Sequence, residues 1–188
     1  MRRSVALKVG AMMPVFGMSL RTARLTLRPF RGDDAARVLT IQSNWAVMRM
    51  LRVATYPATL HSTRQWLASH EGEWRSGAAY RFAVVLDGAV IGCADVDEIS
   101  HGRGDLGYWL EEAAWGRGFA SEAAGAVVAF AFELLGLDGL NSGHARDNPA
   151  SGQVLRKLGF RRIGETTAWS NPRGEKIDQC VYARDREV

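Results

Sequence analysis

The stretch WGRGFASEAAGAVVAFAFELLG, residues 115–136, decides how this chain is read. Gly116 and Gly118 flank Arg117, and Phe119, Ala120, Ser121 and Glu122 follow before a long apolar run. Phe119, Ala123, Val127, Phe130 and Leu134 recur at steps of four, four, three and four, which predicts one apolar stripe along a helix. Gly136 supplies its stop. A glycine loop that opens a helix is either a tight turn or a cradle for an anion. The second use arises because the first N–H groups of a helix have no intrahelical acceptor.

A rival lies just upstream. Gly102-Arg103-Gly104-Asp105-Leu106-Gly107 spells the GxGxxG dinucleotide fingerprint letter for letter. That fingerprint has to follow a strand and open a helix, so that the helix N-terminus meets the pyrophosphate. Here Gly107 leads into Tyr108-Trp109-Leu110, which reads as a strand. The upstream cluster is therefore a turn between strands. At 116–118 the context is right, with a strand ending near Glu111 and a striped helix beginning. No Gly-Lys-Ser/Thr follows, which excludes a Walker A loop.

Working outward, residues 25–28 alternate as a first strand closed by Pro29, and Asp33 or Asp34 caps a helix with Ala36, Leu39 and Thr40 near one face. Residues 44–61 read as irregular around Pro57. Ser62 is expected to cap a second helix, with Trp66, Leu67, His70 and Trp74 at helical spacing and Gly77 at its end. Residues 81–86 and 89–96 alternate with period two around Asp87-Gly88, a hairpin. After the striped helix come a strand at about 139–146, a helix with Asn148 as N-cap, Pro149 in its first turn and Gly159 as stop, and two strands near 160–169 and 177–183. The order β-α-α-β-β-β-α-β-α-β-β describes one mixed α/β domain around a single sheet.

Composition agrees. A chain of 188 residues with 47% hydrophobic and 23% charged residues fits one soluble domain. Its net charge of +4 suits a phosphorylated ligand and equally a nucleic acid. Cys93 and Cys180 sit among apolar residues without a CxxC pair, so they read as buried reduced thiols. The histidines show no zinc spacing, and no metal is expected. Residues 1–17 read as a loose extension with Met18 as a second natural start. No stretch approaches a membrane span, and a cytoplasmic location is expected.

The ordered series "LRTARLTLRPFRGDDA", "DLGYWLEE", the 115–136 stretch, "ARDNPASGQVLRKLGFRRIGE" and "CVYARD" resembles the GNAT superfamily of N-acetyltransferases, in its RimJ/RimL-like branch, over about nine-tenths of the chain. The resemblance implies a single GNAT-like domain with a central, splayed, mostly antiparallel mixed sheet flanked by helices. It also implies acetyl-coenzyme A as co-substrate. Its pyrophosphate loop falls on Trp115-Gly116-Arg117-Gly118-Phe119-Ala120, and its pantetheine strand on Trp109, Leu110 and Glu111. Trp115 departs from the general Gln/Arg. Asn148 takes a polar contact to the cofactor, and Ser151 takes proton donation to the departing thiolate.

The family's general base is missing from its usual places. The positions that hold a tyrosine acid, a glutamate base and the RimL-like glutamate fall on Leu155, Gly143 and Ser170. A neutral amine can attack a thioester directly, but its ammonium must then lose a proton. Asp95, Asp97 or Glu98, near the end of the third strand, are candidates through a water, with Asp95 assigned; solvated strand-end charges are the alternative. Glu111 and His144 follow. The expected acceptor is a primary amine, either a protein N-terminus or a small amine such as an antibiotic or polyamine. A non-catalytic acyl-coenzyme A sensor and a basic surface that binds RNA on ribosomes are the competing classes. Arg156, Lys157, Arg161 and Arg162 would carry the latter, but such a run is ordinarily a solvated helix-end patch, and no nucleic-acid partner is expected. The chain is expected to act as a monomer or homodimer.

Overall fold

The Asp87-Gly88 dipeptide carries furthest into the fold. Both residues have positive φ, 49° and 82°, the type I′ geometry whose twist matches the strands it joins. Through it β3 (Tyr80–Leu86) pairs antiparallel with β4 (Ala89–Ser100), with a bulge between Val84 and Val85. A second turn leads into β5 (Arg103–Leu110). Outside β3 lie β2 (Thr26–Pro29) and the two-residue β1 (Leu20–Arg21). Beyond β5 comes β6 (Gly139–Ala145), then β8 (Glu175–Asp185) and, at the edge, β7 (Arg161–Ser170). The computed structural model describes residues 16–187, so nearly all of the expected 1–17 extension lies outside the described residues.

The eight strands form one sheet in the order β1-β2-β3-β4-β5-β6-β8-β7. Pairing is antiparallel except between β5 and β6. Parallel neighbours need a crossover, and α4 (Phe119–Ala129) supplies it. The β5–β6 ladder covers only Arg103↔Gly139, Gly104↔Leu140 and Asp105↔Asn141. One side-chain bond prolongs it, from Ser142 Oγ to the Leu106 carbonyl at 2.8 Å. Past that point the sheet splays, as the family resemblance implies.

Strand parity sorts the two faces. Phe82, Ala94, Val96, Leu106 and Leu110 pack with α4 in one core, with Tyr108 against it. Ala83, Cys93 and Trp109 turn the other way, toward α1 (Ala35–Gln42) and α3 (Leu60–Ser76). Cys93 and Cys180 are buried free thiols.

Several local expectations shift. In α1 the buried residues are Ala35, Val38 and Ile41, one position off the expected face. The helix is entered through a 3₁₀ turn at Gly32–Asp34, pinned by Asp34 to Arg28 and to the Arg31 N–H. The segment at 44–61 contains one helical turn, α2 (Trp45–Met48), capped by Asn44. The cap of α3 is Thr59, three residues earlier than expected, and Ser62 closes its capping box. Leu134 leaves the apolar stripe of α4 because residues Phe130–Leu134 form a π turn, whose extra residue per turn rotates it outward. Asn148 caps α5 (Pro149–Lys157) as expected.

Candidate active site

The glycine loop at 116–118 precedes α4 with Gly116 and Gly118 both left-handed, at φ 72° and 81°. The first bond of α4 runs from the Glu122 N–H to the Gly118 carbonyl at 3.1 Å. The N–H groups of Phe119, Ala120 and Ser121 therefore have no intrahelical acceptor. A Cβ on Gly116 would meet nothing within 4 Å, and one on Gly118 would meet only Arg24 Nη2 at 3.5 Å. The loop is open on its outer side. Arg117 lies over the Phe119 ring at 4.8 Å, so its charge stays beside the loop.

The upstream cluster does the opposite. Gly104 and Gly107 lie within β5, and a Cβ on them would strike Val96 at 2.7 Å and the Asp95 carboxylate at 2.2 Å. These glycines exist for packing. No helix follows them.

The strand after them presents the splay. Leu106 and Leu110 turn their carbonyls away from β4, to Ser142 Oγ and to the Trp115 indole N–H at 2.9 Å. The period of two turns the main-chain groups of Tyr108 the same way, into the gap. Of the residues assigned to the pantetheine strand, Leu110 thus already shares its carbonyl with Trp115. Glu111 donates its N–H to Ile91 and holds Arg37 at 2.5 Å, and Trp109 packs toward α1 and α3.

Ser151, in the first turn of α5, meets a residue that sequence reasoning missed. The Tyr108 hydroxyl lies 3.0 Å from the Ser151 carbonyl and 2.8 Å from Ser151 Oγ. A carbonyl only accepts, and a phenol has one proton. Tyr108 therefore donates to the carbonyl, and Ser151 Oγ–H donates to Tyr108. Burial pushes the Tyr108 phenol up to about 12, so it stays protonated at neutral pH. Asn148 Oδ1 accepts from the Ser151 N–H at 3.4 Å. The signal available in the sequence was the alternation of "DLGYWL", which faces Tyr108 and Trp109 to opposite sides.

Asp95 is on the other face. β4 continues to Ser100, so Asp95 sits mid-strand and buried rather than at a solvated strand end. Its Oδ2 holds Arg81 Nη1 at 2.6 Å; the same nitrogen reaches Asp97 at 3.0 Å, and Arg81 Nε reaches Glu73 of α3 at 2.8 Å. Burial raises the Asp95 carboxyl to about 6, with Arg81 pulling against it and Asp97 adding to it. Glu98 is exposed and pairs with Arg52 at 3.5 Å. Where the resemblance puts the family's tyrosine acid and RimL-like glutamate, Leu155 is core and Ser170 Oγ donates to the Leu51 carbonyl at 3.1 Å. His144 is buried, with Nδ1 2.8 Å from the Ala145 carbonyl and Gly152 of α5 against its ring.

A single cleft of ≈ 1210 Å³ joins these parts. Gly116, Gly118, Phe119 and Ala120 line it, as do Tyr108, Ser151, Asn148, Asp95 and Arg81. Tyr108 and Ser151 stand on the α4 side of the sheet, and Asp95 and Arg81 on the α1–α3 side. The splay is where the two sides meet.

The family model for an acetyltransferase (GNAT) domain matches residues 24–161. The chain belongs to the GNAT family of acetyltransferases. It is accordingly an enzyme that uses acetyl-coenzyme A. The chain is 27% identical over 169 residues to the uncharacterized N-acetyltransferase p20 of Bacillus licheniformis, covering 88% of this chain and 94% of that one. Its fold matches RimJ of Mycobacterium smegmatis in complex with CoA-disulfide, with TM-score 0.78, 22% identity, and 86% and 81% of the two chains covered. It also matches RimL, a ribosomal L7/L12 α-N-protein acetyltransferase in complex with coenzyme A, with TM-score 0.79, 20% identity and 87% and 95% coverage. The open N–H groups at 119–121 fit an anionic group of a GNAT co-substrate. No cluster of metal-binding side chains exists among the described residues, and none of their helices is long and apolar enough to cross a membrane.

Proposed function

We propose that this acetyltransferase acts on a primary amine that enters from the α1–α3 side, while acetyl-coenzyme A lies along α4 on the other. The observation that carries this reading is the cleft itself, which joins the open loop and the Ser151–Tyr108 pair to Asp95 through the splayed sheet. Coenzyme A supplies an acetyl thioester, an activated acyl group with a thiolate to release.

In this reading the N–H groups of Phe119, Ala120 and Ser121 hold the pyrophosphate. As charge-assisted bonds each contributes about 1.5–3 kcal/mol. Tyr108 turns its main-chain groups into the gap to align the pantetheine arm. Asp95, poised near 6 by burial, is ionised at neutral pH and takes the proton that the ammonium must lose. Ser151 Oγ–H is parked on Tyr108; by side-chain rotation it turns to the departing thiolate, gives it the proton and regains one from water, to which Asp95 returns the proton taken from the ammonium. Arg81 keeps Asp95 aimed across Gly107.

The acceptor is a protein N-terminal amine, as for RimL, the ribosomal L7/L12 α-N-protein acetyltransferase, or a small amine. One observation favours a cationic acceptor of either kind: Glu73, Asp95, Asp97, Glu98, Asp105 and Asp147 line the cleft against Arg52, Arg81 and Lys157. Incubation with acetyl-coenzyme A and a panel of peptides, polyamines and aminoglycosides, read by mass spectrometry, tests both points. Acetyl gain on an amine is the expected result; thioester hydrolysis without acetylation of any amine contradicts it.

A further inference from the structure

The motif "RTARL" at residues 21–25 lies far in sequence from the glycine loop, yet its side chains reach it. Glu122, in the first turn of α4, is gripped from the β1–β2 turn by three groups. Thr22 Oγ1 donates to its Oε1 at 2.6 Å, the Arg24 N–H to the same oxygen at 2.8 Å, and Arg24 Nε to Oε2 at 2.7 Å. The guanidinium then extends to the loop, where Arg24 Nη1 donates to the Arg117 carbonyl at 3.0 Å. It also lies over the Phe119 ring at 4.4 Å.

Two consequences follow. In a trans peptide the carbonyl and the next N–H point opposite ways. Holding the Arg117 oxygen toward Arg24 therefore turns the Gly118 N–H away from it and fixes the plane of the 117–118 peptide. The second consequence is electrostatic. A carboxylate in the first turn of a helix is favourable there by itself, but it repels an anion brought to the same N–H groups. Arg24 cancels that charge, leaving Arg117 as the uncompensated one.

We propose that Arg24, clamped by Thr22 and Glu122, is a positioning residue for the pyrophosphate of the acetyl donor. It acts through the 117–118 peptide and through Glu122. This rests on the reading of the loop given under Proposed function.

The test compares wild type, Arg24→Met, Arg24→Lys and Arg24→Met/Glu122→Gln by calorimetric titration with coenzyme A. Kinetics with acetyl-coenzyme A and with S-acetylpantetheine, which lacks the phosphates, follow. Arg24→Met is expected to weaken coenzyme A binding about tenfold or more, the loss of a charge-assisted contact beside an anion. The double variant recovers part of this because the exposed carboxylate is gone. Arg24→Lys falls between. KM for acetyl-coenzyme A rises in Arg24→Met, with kcat and the S-acetylpantetheine parameters unchanged. Wild-type affinity in Arg24→Met overturns the inference, and so does an equal loss with both donors, which marks general damage to the loop. Failure of the wild type to bind coenzyme A overturns instead the reading on which the inference rests.

Discussion

Two glycine clusters stand within a dozen residues of each other and serve opposite ends. At 102–107 the missing side chains let neighbours close in: the Asp95 carboxylate occupies the space a Cβ of Gly107 would need. At 116–118 the missing side chains leave space empty, with both glycines left-handed and the helix N–H groups beyond them unanswered. Glycine spacing is the same kind of signal in both places. What distinguishes them is what comes next, a strand in one case and a helix in the other.

The sharpest way to break this contrast is at Gly118. Gly118→Asp puts a side chain and a negative charge at the mouth of the loop, and coenzyme A affinity measured by calorimetry should fall by about 10³-fold, the loss of two or more charge-assisted bonds plus repulsion. The left-handed φ of 81° adds a local backbone cost of about 1 kcal/mol, but a Cβ there meets only Arg24, so the fold should survive. Unchanged affinity would make the open loop an ordinary turn.

Asp95→Asn probes the other cluster's neighbour. Its side-chain volume is retained, so coenzyme A should still bind while kcat drops by about 10²-fold. In the wild type kcat should rise with pH up to about 6, because Asp95 works only when ionised, and flatten above it. A wild-type acid limb that persists in Asp95→Asn would assign the base elsewhere. Ser151→Ala is expected to lower kcat about tenfold with little change in coenzyme A affinity.

Gly107→Ala is the counterpart of the Gly118 change. The new methyl must push Asp95 off Arg81, so thermal or urea unfolding should show a loss of about 1–3 kcal/mol, with coenzyme A affinity close to wild type. A variant that lost affinity but not stability would erase the distinction between the clusters.

The last contrast lies away from both clusters, at His70. It is buried among Phe30 and Trp66, and both ring nitrogens lack a partner among the described residues. Burial, with Arg81 adding, lowers it from 6.5 to about 3. Its folded value lies below its unfolded one, so the stability it permits is full above 6.5 and is lost as pH falls from there toward 3. The loss approaches about 1.4 kcal/mol per pH unit. His70→Leu should flatten that limb in urea unfolding measured between pH 7 and 4; an unchanged slope would place the acid sensitivity in other groups.

Much of this was legible in sequence because it is local. The Asp87-Gly88 hairpin, the Asn148 cap, the Gly77 stop and the rejection of GxGxxG all depend on residues within a few positions of one another. The misses were of two kinds. Register errors arose where an unrecognised turn intervened, as with the 3₁₀ entry to α1 and the π turn that exposes Leu134. Long-range errors arose where tertiary contact decides. The Tyr108–Ser151 bond spans 43 positions, the Arg24–Glu122 clamp 98, and no periodicity reports either. Asp95 was found as a candidate, but its burial came from a strand longer than its alternating pattern. Ser170, where the resemblance puts the RimL-like glutamate, ties the β7–β8 turn to the Leu51 carbonyl, a contact 119 positions away that no local pattern reports.

The most direct test is calorimetric titration of the wild-type chain with acetyl-coenzyme A. One site of micromolar or tighter affinity, lost in Gly118→Asp and kept in Gly107→Ala, is the predicted result. Absence of binding at millimolar acetyl-coenzyme A, or binding that survives Gly118→Asp, would contradict the assignment of the open loop.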